Sequence, residues 1–260
     1  MIQPVLHEYD MGPGVMAFST TRHGGVGKGN YASFNINYYC GDNPDDIEAN
    51  REALCQLLGV DRYHLVYPHQ VHGDKVETID RQWLESLSPA EKFFSLEGKD
   101  AVMTDLVGVC IGVSTADCIP VLLYDAAHHA CCAVHAGWRG TAKRIVQKAM
   151  VSMAQAYGTS SQQLQAVIGP GISLECFEVG DEVYELFVQA DFDMQHIARR
   201  YGKWHIDLWE CNRIQLMEMG VPEAHIHVAG ICTYTHHHDF FSARRMGVDS
   251  GRIFSGMMVR

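Results

Sequence analysis

Apolar residues follow two rhythms along this chain. Short, nearly continuous apolar stretches predict buried strands at Val15–Thr20, Leu65–Tyr67, Lys75–Ile79, Ala101–Thr104, Val107–Ser114, Ile119–Tyr124, Ala130–His135, Leu164–Ile168, Ile226–Ala229 and Ile253–Val259. Longer stretches with apolar residues every three or four positions predict helices. One starts near Asp42 or Asn43: Pro44 suits a first turn, Asp45 and Asp46 suit the positive end of the dipole, and Gly59 suits the stop. The longest is predicted from Trp138 to Tyr157, with Ala142, Ile145, Val146, Ala149, Met153 and Tyr157 as its apolar stripe and Gly158 as its stop. Two more are predicted at Gly180–Ala190 and Leu208–Met219; Asp207 is placed to cap the second, with Glu210 three residues on. The elements interleave without a regular βαβ rhythm, which predicts an α+β fold with mixed sheets flanked by helices.

Composition adds bounds rather than detail. A chain of 260 residues can bury a full core without staples and has no linker, repeat or low-complexity run. The net charge of −11 argues against general binding of nucleic acid or an anionic membrane, while leaving room for a local basic pocket. The most membrane-like stretch, Leu106–Tyr124, contains Asp117 and Pro120 and reads as two buried strands. Met1 to Asp10 has no basic segment followed by an apolar core, so no signal peptide is expected and the expected compartment is the cytoplasm. The nine cysteines form no CxxC pair, and Cys131 and Cys132 are adjacent, so reduced thiols are expected.

Three segments carry a soft ligand at the edge of an apolar strand: Pro68–Gly73 (PHQVHG), Ser114–Leu123 (STADCIPVLL) and Ala133–Gly140 (AVHAGWRG). His69 and His72 are three apart in a segment bracketed by Pro68 and Gly73, so at most one of them points into a given site. Cys118 follows Asp117 in a predicted turn, and His135 ends a strand just before the long helix. The spacings of 46 residues from His72 to Cys118 and 17 from Cys118 to His135 match no short zinc-finger pattern. The glycine-rich Arg22–Asn30 (RHGGVGKGN) is not a Walker A loop. These residues by themselves indicate an enzyme with a Cys/His site.

The three segments resemble the motifs of the polyphenol oxidase or laccase-domain family, the YfiH-like proteins also described as purine nucleoside phosphorylases and peptidoglycan editing factors. Ser19–Gly27, Ser33–Arg51, Ile168–Ile172, Phe177–Gly180, Cys232–Thr235 and Phe240–Arg252 agree with it, so the resemblance covers nearly the whole chain as a single domain, 1–260. It implies an α/β fold related to toxin deamidases. It also implies a metal, usually zinc, on His72, Cys118 and His135, and phosphorolysis of adenosine, inosine and S-methyl-5′-thioadenosine, with adenosine deamination as a second activity. Two imidazoles and one thiolate leave a fourth position open, the catalytic pattern of zinc. Adenine C6 is an electrophilic carbon of the kind that zinc deaminases attack.

Phosphorolysis also needs an anion site. Arg22, Arg139, Arg244, Arg245 and Arg252 are candidates, with Arg139 favoured because it is predicted in the first turn of a helix, where an anion would offset the dipole. Copper is the alternative ion, since a His₂Cys set also holds copper; a phenol oxidase is then the rival function. His225 and His227 form an HxH pair of the kind a multicopper cluster needs in several copies. A second rival is a cysteine hydrolase for peptidoglycan editing, with Cys118 as nucleophile and His135 as base. The substrates expected are small molecules.

Overall fold

Residues 2–260 are described by the computed structural model of the protein. They form strands β1 (Leu6–Tyr9), β2 (Val15–Thr20), β3 (Leu65–Val66), β4 (Val76–Thr78), β5 (Ala101–Thr104), β6 (Cys110–Thr115), β7 (Ile119–Asp125), β8 (Ala130–Ala136), β9 (Gln165–Ile168), β10 (Glu178–Val179), β11 (Ala198–Tyr201), β12 (Lys203–Ile206), β13 (Ile226–Val228) and β14 (Ile253–Val259). The helices are α1 (Pro44–Leu58), α2 (Arg81–Ser86), α3 (Pro89–Leu96), α4 (Trp138–Ala142), α5 (Ile145–Tyr157), α6 (Asp181–Gln189), α7 (Met194–Ile197), α8 (Leu208–Glu218) and α9 (Ala243–Met246).

Two mixed sheets dominate. One has the order β1-β2-β14-β6-β3, antiparallel except for the parallel β3–β6 pair. The other has the order β13-β9-β7-β8-β5-β4, with parallel pairs at both edges. A small antiparallel sheet, β10-β12-β11, lies apart.

Side-chain alternation along the strands stacks these sheets. On β7, Leu122 and Tyr124 face one core, while Ile119, Val121 and Leu123 face another. The first core is shared with Ile111, Val113, Met257 and Val259 of the five-stranded sheet, so the two sheets pack face to face. The second is closed by α5, α6 and α8, through Ile145, Ala149, Phe187 and Leu216. On the far side of the five-stranded sheet, Leu54, Cys55 and Leu58 of α1 cover Phe18 and Phe254. The order of layers is therefore α-β-β-α, a mixed α/β fold with mixed sheets flanked by helices, as the sequence predicts.

The helix ends follow their caps. Asn43 accepts from Asp45 N and Asp46 N, and Gly59 closes α1 in the left-handed region (φ 71°). Asp207 caps α8 through Glu210 N at 2.9 Å. The predicted helix over 138–157 is instead two helices. The chain turns at Arg144, whose φ of 62° breaks the spiral. Tertiary contacts hold it there: the guanidinium bonds Glu218 and the carbonyls of Ala190 and Asp191 and lies 3.8 Å from the Phe192 ring centroid. Among the described residues no helix is long and apolar enough to cross a membrane.

Candidate metal centre and active site

The three soft donors come from three different connections at one end of the stacked sheets. His72 lies in the loop after β3. Cys118 is the last residue of the turn that carries the chain from β6 in one sheet to β7 in the other. His135 is the penultimate residue of β8, with its side chain on the face that Cys131 and Ala133 turn toward the five-stranded sheet. One ligand atom from each of the three lies within 4.8 Å of the others, a group able to hold a metal ion. The His72 and His135 rings meet edge to face, with centroids 4.9 Å apart.

Backbone geometry shows how tightly the site is shaped. His72 and Asp117 both adopt left-handed backbone, with φ of 59° and 84°, a costly conformation for residues with a side chain. Asp117 is fixed by Thr233 Oγ1 at 2.7 Å and by Arg244 N at 2.6 Å. The His72 loop is tied to β6 by Gln70, whose amide donates to Ser114 O and accepts from Ser114 N, both at 2.7 Å. Gly137 faces the donors directly. A Cβ there would lie 3.0 Å from Cys118 Sγ and 3.0 Å from the His72 ring, so only glycine fits without displacing a ligand.

Behind the donors sits a residue that the sequence did not reveal, Asp100. It is fully buried. Its Oδ1 accepts from His135 Nδ1 at 2.7 Å and from His72 N at 2.9 Å; its Oδ2 accepts from Gly73 N at 2.7 Å and Val71 N at 3.3 Å. One carboxylate therefore orients the His135 ring and pins the loop of His72. With Nδ1 committed to Asp100, the Nε2 of His135 is left to face the site. The signal that could have found Asp100 is its place, one residue before a buried strand that pairs with β8.

The charges reinforce one another. Burial opposes ionisation of Cys118, yet the charge of His135 and hydrogen bonds from His135 and His72 outweigh it and hold the thiol at about 6. Burial likewise disfavours an imidazolium at His135, but the Cys118 thiolate and the Asp100 carboxylate lift it to about 9. Asp100, despite its burial, is held below the usual carboxylate range by His135 and by the backbone N–H groups of Gly73 and Val71. The buried thiols of Cys110, Cys131, Cys132 and Cys211 go the other way, pushed up by burial. Cys118, with its pKa lowered and its place among the donors, is thus prepared to be a ligand or a nucleophile.

A cavity of about 250 Å³ opens over the donors, with Tyr39, His69, Gln70, Asn37, Ser114 and Arg252 among its lining residues. The Tyr39 ring stacks on His69 with centroids 3.8 Å apart, and His69 Nδ1 pairs with Glu97 at 2.7 Å. His69 thus lines the cavity but holds a carboxylate instead of joining the donors.

Of the arginines, only Arg252 lines this cavity. Arg139 lies on α4 with its guanidinium 4.1 Å from the Trp138 ring centroid, lining a separate depression with Lys143, Leu186 and Gln189. Arg22 donates to the carbonyls of Ala32 and His237, both at 2.7 Å. Arg244 reaches the carbonyls of Cys176 and Glu178, and Arg245 lies 5.1 Å from the Tyr234 ring centroid. His225 and His227 line another depression beside Asp10, away from the three donors.

Comparison with known proteins finds matches along nearly the whole chain. The family model described as multi-copper polyphenol oxidoreductase laccase matches residues 16–260. A protein of Bacteroides thetaiotaomicron named purine nucleoside phosphorylase is 47% identical over 245 residues, covering 93% of this chain and 90% of its own. A protein named adenosine deaminase RL5, from an unknown prokaryotic organism, is 44% identical over 247 residues, covering 94% of each. The crystal structure of YlmD from Geobacillus stearothermophilus superposes with a TM-score of 0.88 at 32% identity, over 97% of this chain and 94% of that one. Matched along nearly its whole length, the chain belongs to the multi-copper polyphenol oxidoreductase laccase family that its sequence motifs resemble.

Proposed function

We propose that this protein is a zinc-dependent purine nucleoside enzyme. It cleaves adenosine, inosine and S-methyl-5′-thioadenosine by phosphorolysis and deaminates adenosine as a second activity. The observation that carries this reading is the convergence of His72, Cys118 and His135 on one point under a cavity of about 250 Å³. Names borne by relatives at 47% and 44% identity support the substrate class.

The residues fit the ion. Two imidazoles and an already ionised thiolate are the three-ligand set of a catalytic zinc, and the missing Cβ of Gly137 leaves them room. When bound, the ion supplies Lewis acidity at neutral pH. The chain does the rest. Asp100 engages His135 Nδ1, so it is the Nε2 proton that a metal would displace to gain a lone pair. Tyr39, stacked on His69, offers a flat aromatic face for a purine ring.

The test is to incubate metal-quantified protein with adenosine, with and without phosphate, and to measure adenine, inosine and hypoxanthine. Adenine that appears only with phosphate reports phosphorolysis, and inosine formed without phosphate reports deamination. Zinc-loaded protein that forms none of the three refutes the reading. Nucleoside turnover that tracks copper and vanishes in the zinc form points to the oxidase.

One observation favours a second reading. Cys118, His135 and Asp100 stand in line as nucleophile, base and orienting carboxylate, the order of a cysteine hydrolase. Activity toward a peptidoglycan fragment that survives complete removal of metal and is abolished by alkylating Cys118 supports that reading over the first.

A further inference from the structure

Resting on the phosphorolysis reading, we propose that Arg252 binds the phosphate co-substrate in the cavity above His72, Cys118 and His135, with the Ser114 hydroxyl as a second contact. Arg252 is the one lysine or arginine among the residues that line this cavity. Its Nη1 donates to the carbonyls of Ser250 at 2.5 Å and Gly251 at 3.0 Å and approaches Ser250 Oγ at 3.3 Å; its Nη2 donates to the Val248 carbonyl at 2.8 Å. A guanidinium has five N–H donors. Nε–H and one Nη2–H are left without a partner among the described residues. Two free donors on one guanidinium suit the oxygens of a phosphate.

Arg252 forms no ion pair among the described residues, unlike Arg62, Arg144 and Arg213. Carbonyl contacts from 248, 250 and 251 hold the guanidinium still, so little freedom remains to be lost on binding. Its backbone is fixed as well, since Arg252 N donates to Asn35 Oδ1 at 3.1 Å and Asn35 is fully buried. Ser114 provides an independent pointer. It lines the same cavity, is only 5% exposed, and its Oγ has no hydrogen-bond partner among the described residues. A buried hydroxyl without a partner is costly unless a ligand supplies one.

The step balances with no further reagent. A hydrogen phosphate oxygen bonds to C1′ of the nucleoside, the C1′–N9 bond breaks, and its electron pair leaves on the purine. The proton of hydrogen phosphate passes to the base, giving ribose 1-phosphate and free purine.

The experiment uses the full-length, metal-loaded protein and inorganic phosphate as the probe. Phosphate binding is measured by calorimetry without nucleoside, and phosphorolysis kinetics are measured alongside. Loss of one charge-assisted contact predicts that Arg252→Gln raises the phosphate KM and Kd about 10- to 100-fold, with a smaller change in kcat. Ser114→Ala raises them less. Melting temperature and bound metal per chain verify that the 248–252 turn survives; if Arg252→Gln does not fold, Arg252→Lys, which keeps the charge but lacks the guanidinium, carries the same KM test. Unchanged phosphate KM and Kd in a folded Arg252 variant overturns the assignment. So does a large KM effect in Arg139→Ala instead, which would return the anion to α4. Failure of the broader reading looks different: wild-type protein would bind phosphate through Arg252 yet release no adenine.

Discussion

Replacing Asp100 with Asn changes one atom and one charge at the point where the His72 loop meets β8. The carboxylate accepts four hydrogen bonds, two on each oxygen, and an amide has only one oxygen to offer. If the new NH₂ takes the place of Oδ2, it confronts the N–H groups of Gly73 and Val71. If it takes the place of Oδ1, it confronts His72 N–H and forces His135 to carry its proton on Nε2, the nitrogen that faces the donors. Each lost bond to a charged acceptor costs about 1.5–3 kcal/mol. At about 2–4 °C per kcal/mol for a chain of this size, one such loss lowers the metal-free Tm by roughly 3–12 °C. Removing the carboxylate that orients a ligating His weakens metal binding about 10- to 100-fold. Competition against a chromophoric chelator at pH 7.5 measures that affinity, and thermal denaturation with and without metal separates it from folding. A folded Asp100→Asn protein that binds zinc as tightly as wild type refutes the claim that the Asp100 carboxylate supports metal binding at His135.

Gly137→Ala places a Cβ 3.0 Å from Cys118 Sγ and is expected to cost about 1–3 kcal/mol through crowding; chelator competition and activity should fall while circular dichroism stays native. Cys118→Ala removes one of three donors, and both nucleoside reactions should fall to background along with stoichiometric zinc, as measured by metal analysis and product chromatography. Proton competition sets the pH dependence. With the thiol at about 6 and His135 at about 9, the metal-free pair carries one excess proton between those values and two below them. Zinc affinity should therefore rise about tenfold per pH unit from 6 to 9, more steeply below 6, and level off above 9; a flat profile from 6 to 9 in chelator competition contradicts the Cys118–His135 pairing. Arg144→Gly removes the contacts that hold the turn between α4 and α5 and should lower Tm by several degrees, at about 2–4 °C per kcal/mol, with metal affinity unchanged.

Much of this architecture is legible in the sequence because it rests on local rules. The caps at Asn43 and Asp207 and the stops at Gly59 and Gly158 bound their helices where short-range chemistry puts them. The apolar runs at Ala101–Thr104, Ile119–Asp125 and Ile253–Val259 are strands because both of their faces are buried. Features set by distant partners are not legible. Arg144 breaks a well-patterned helix only because Glu218 and Phe192 wait for its side chain. β11, with Arg199, Arg200 and Tyr201 exposed, has no apolar run to announce it. The donors His72, Cys118 and His135 are recognisable by motif, but Asp100, equally central, sits in an ordinary Gly-Lys-Asp-Ala stretch. Arg139 illustrates the converse: its place in a first helical turn is read correctly, but whether a side chain meets a cavity depends on packing, and Trp138 draws it elsewhere.

The turn that carries Cys118 is also the chain's crossing from one sheet to the other, while His135 belongs to the six-stranded sheet and His72 follows a strand of the five-stranded one. An ion held by all three therefore bridges two layers that are otherwise joined by apolar packing and by polar links such as Asp100 to the His72 loop and Tyr124 to the Pro13 carbonyl, and it is released when the layers part. Metal occupancy and global unfolding are then a single linked equilibrium. Free metal at a hundred times its Kd adds about 2.7 kcal/mol to the stability of the whole stack. Metal availability would thus govern the lifetime of the folded chain as well as its chemistry, and a thermal shift becomes a direct gauge of which ion the site prefers.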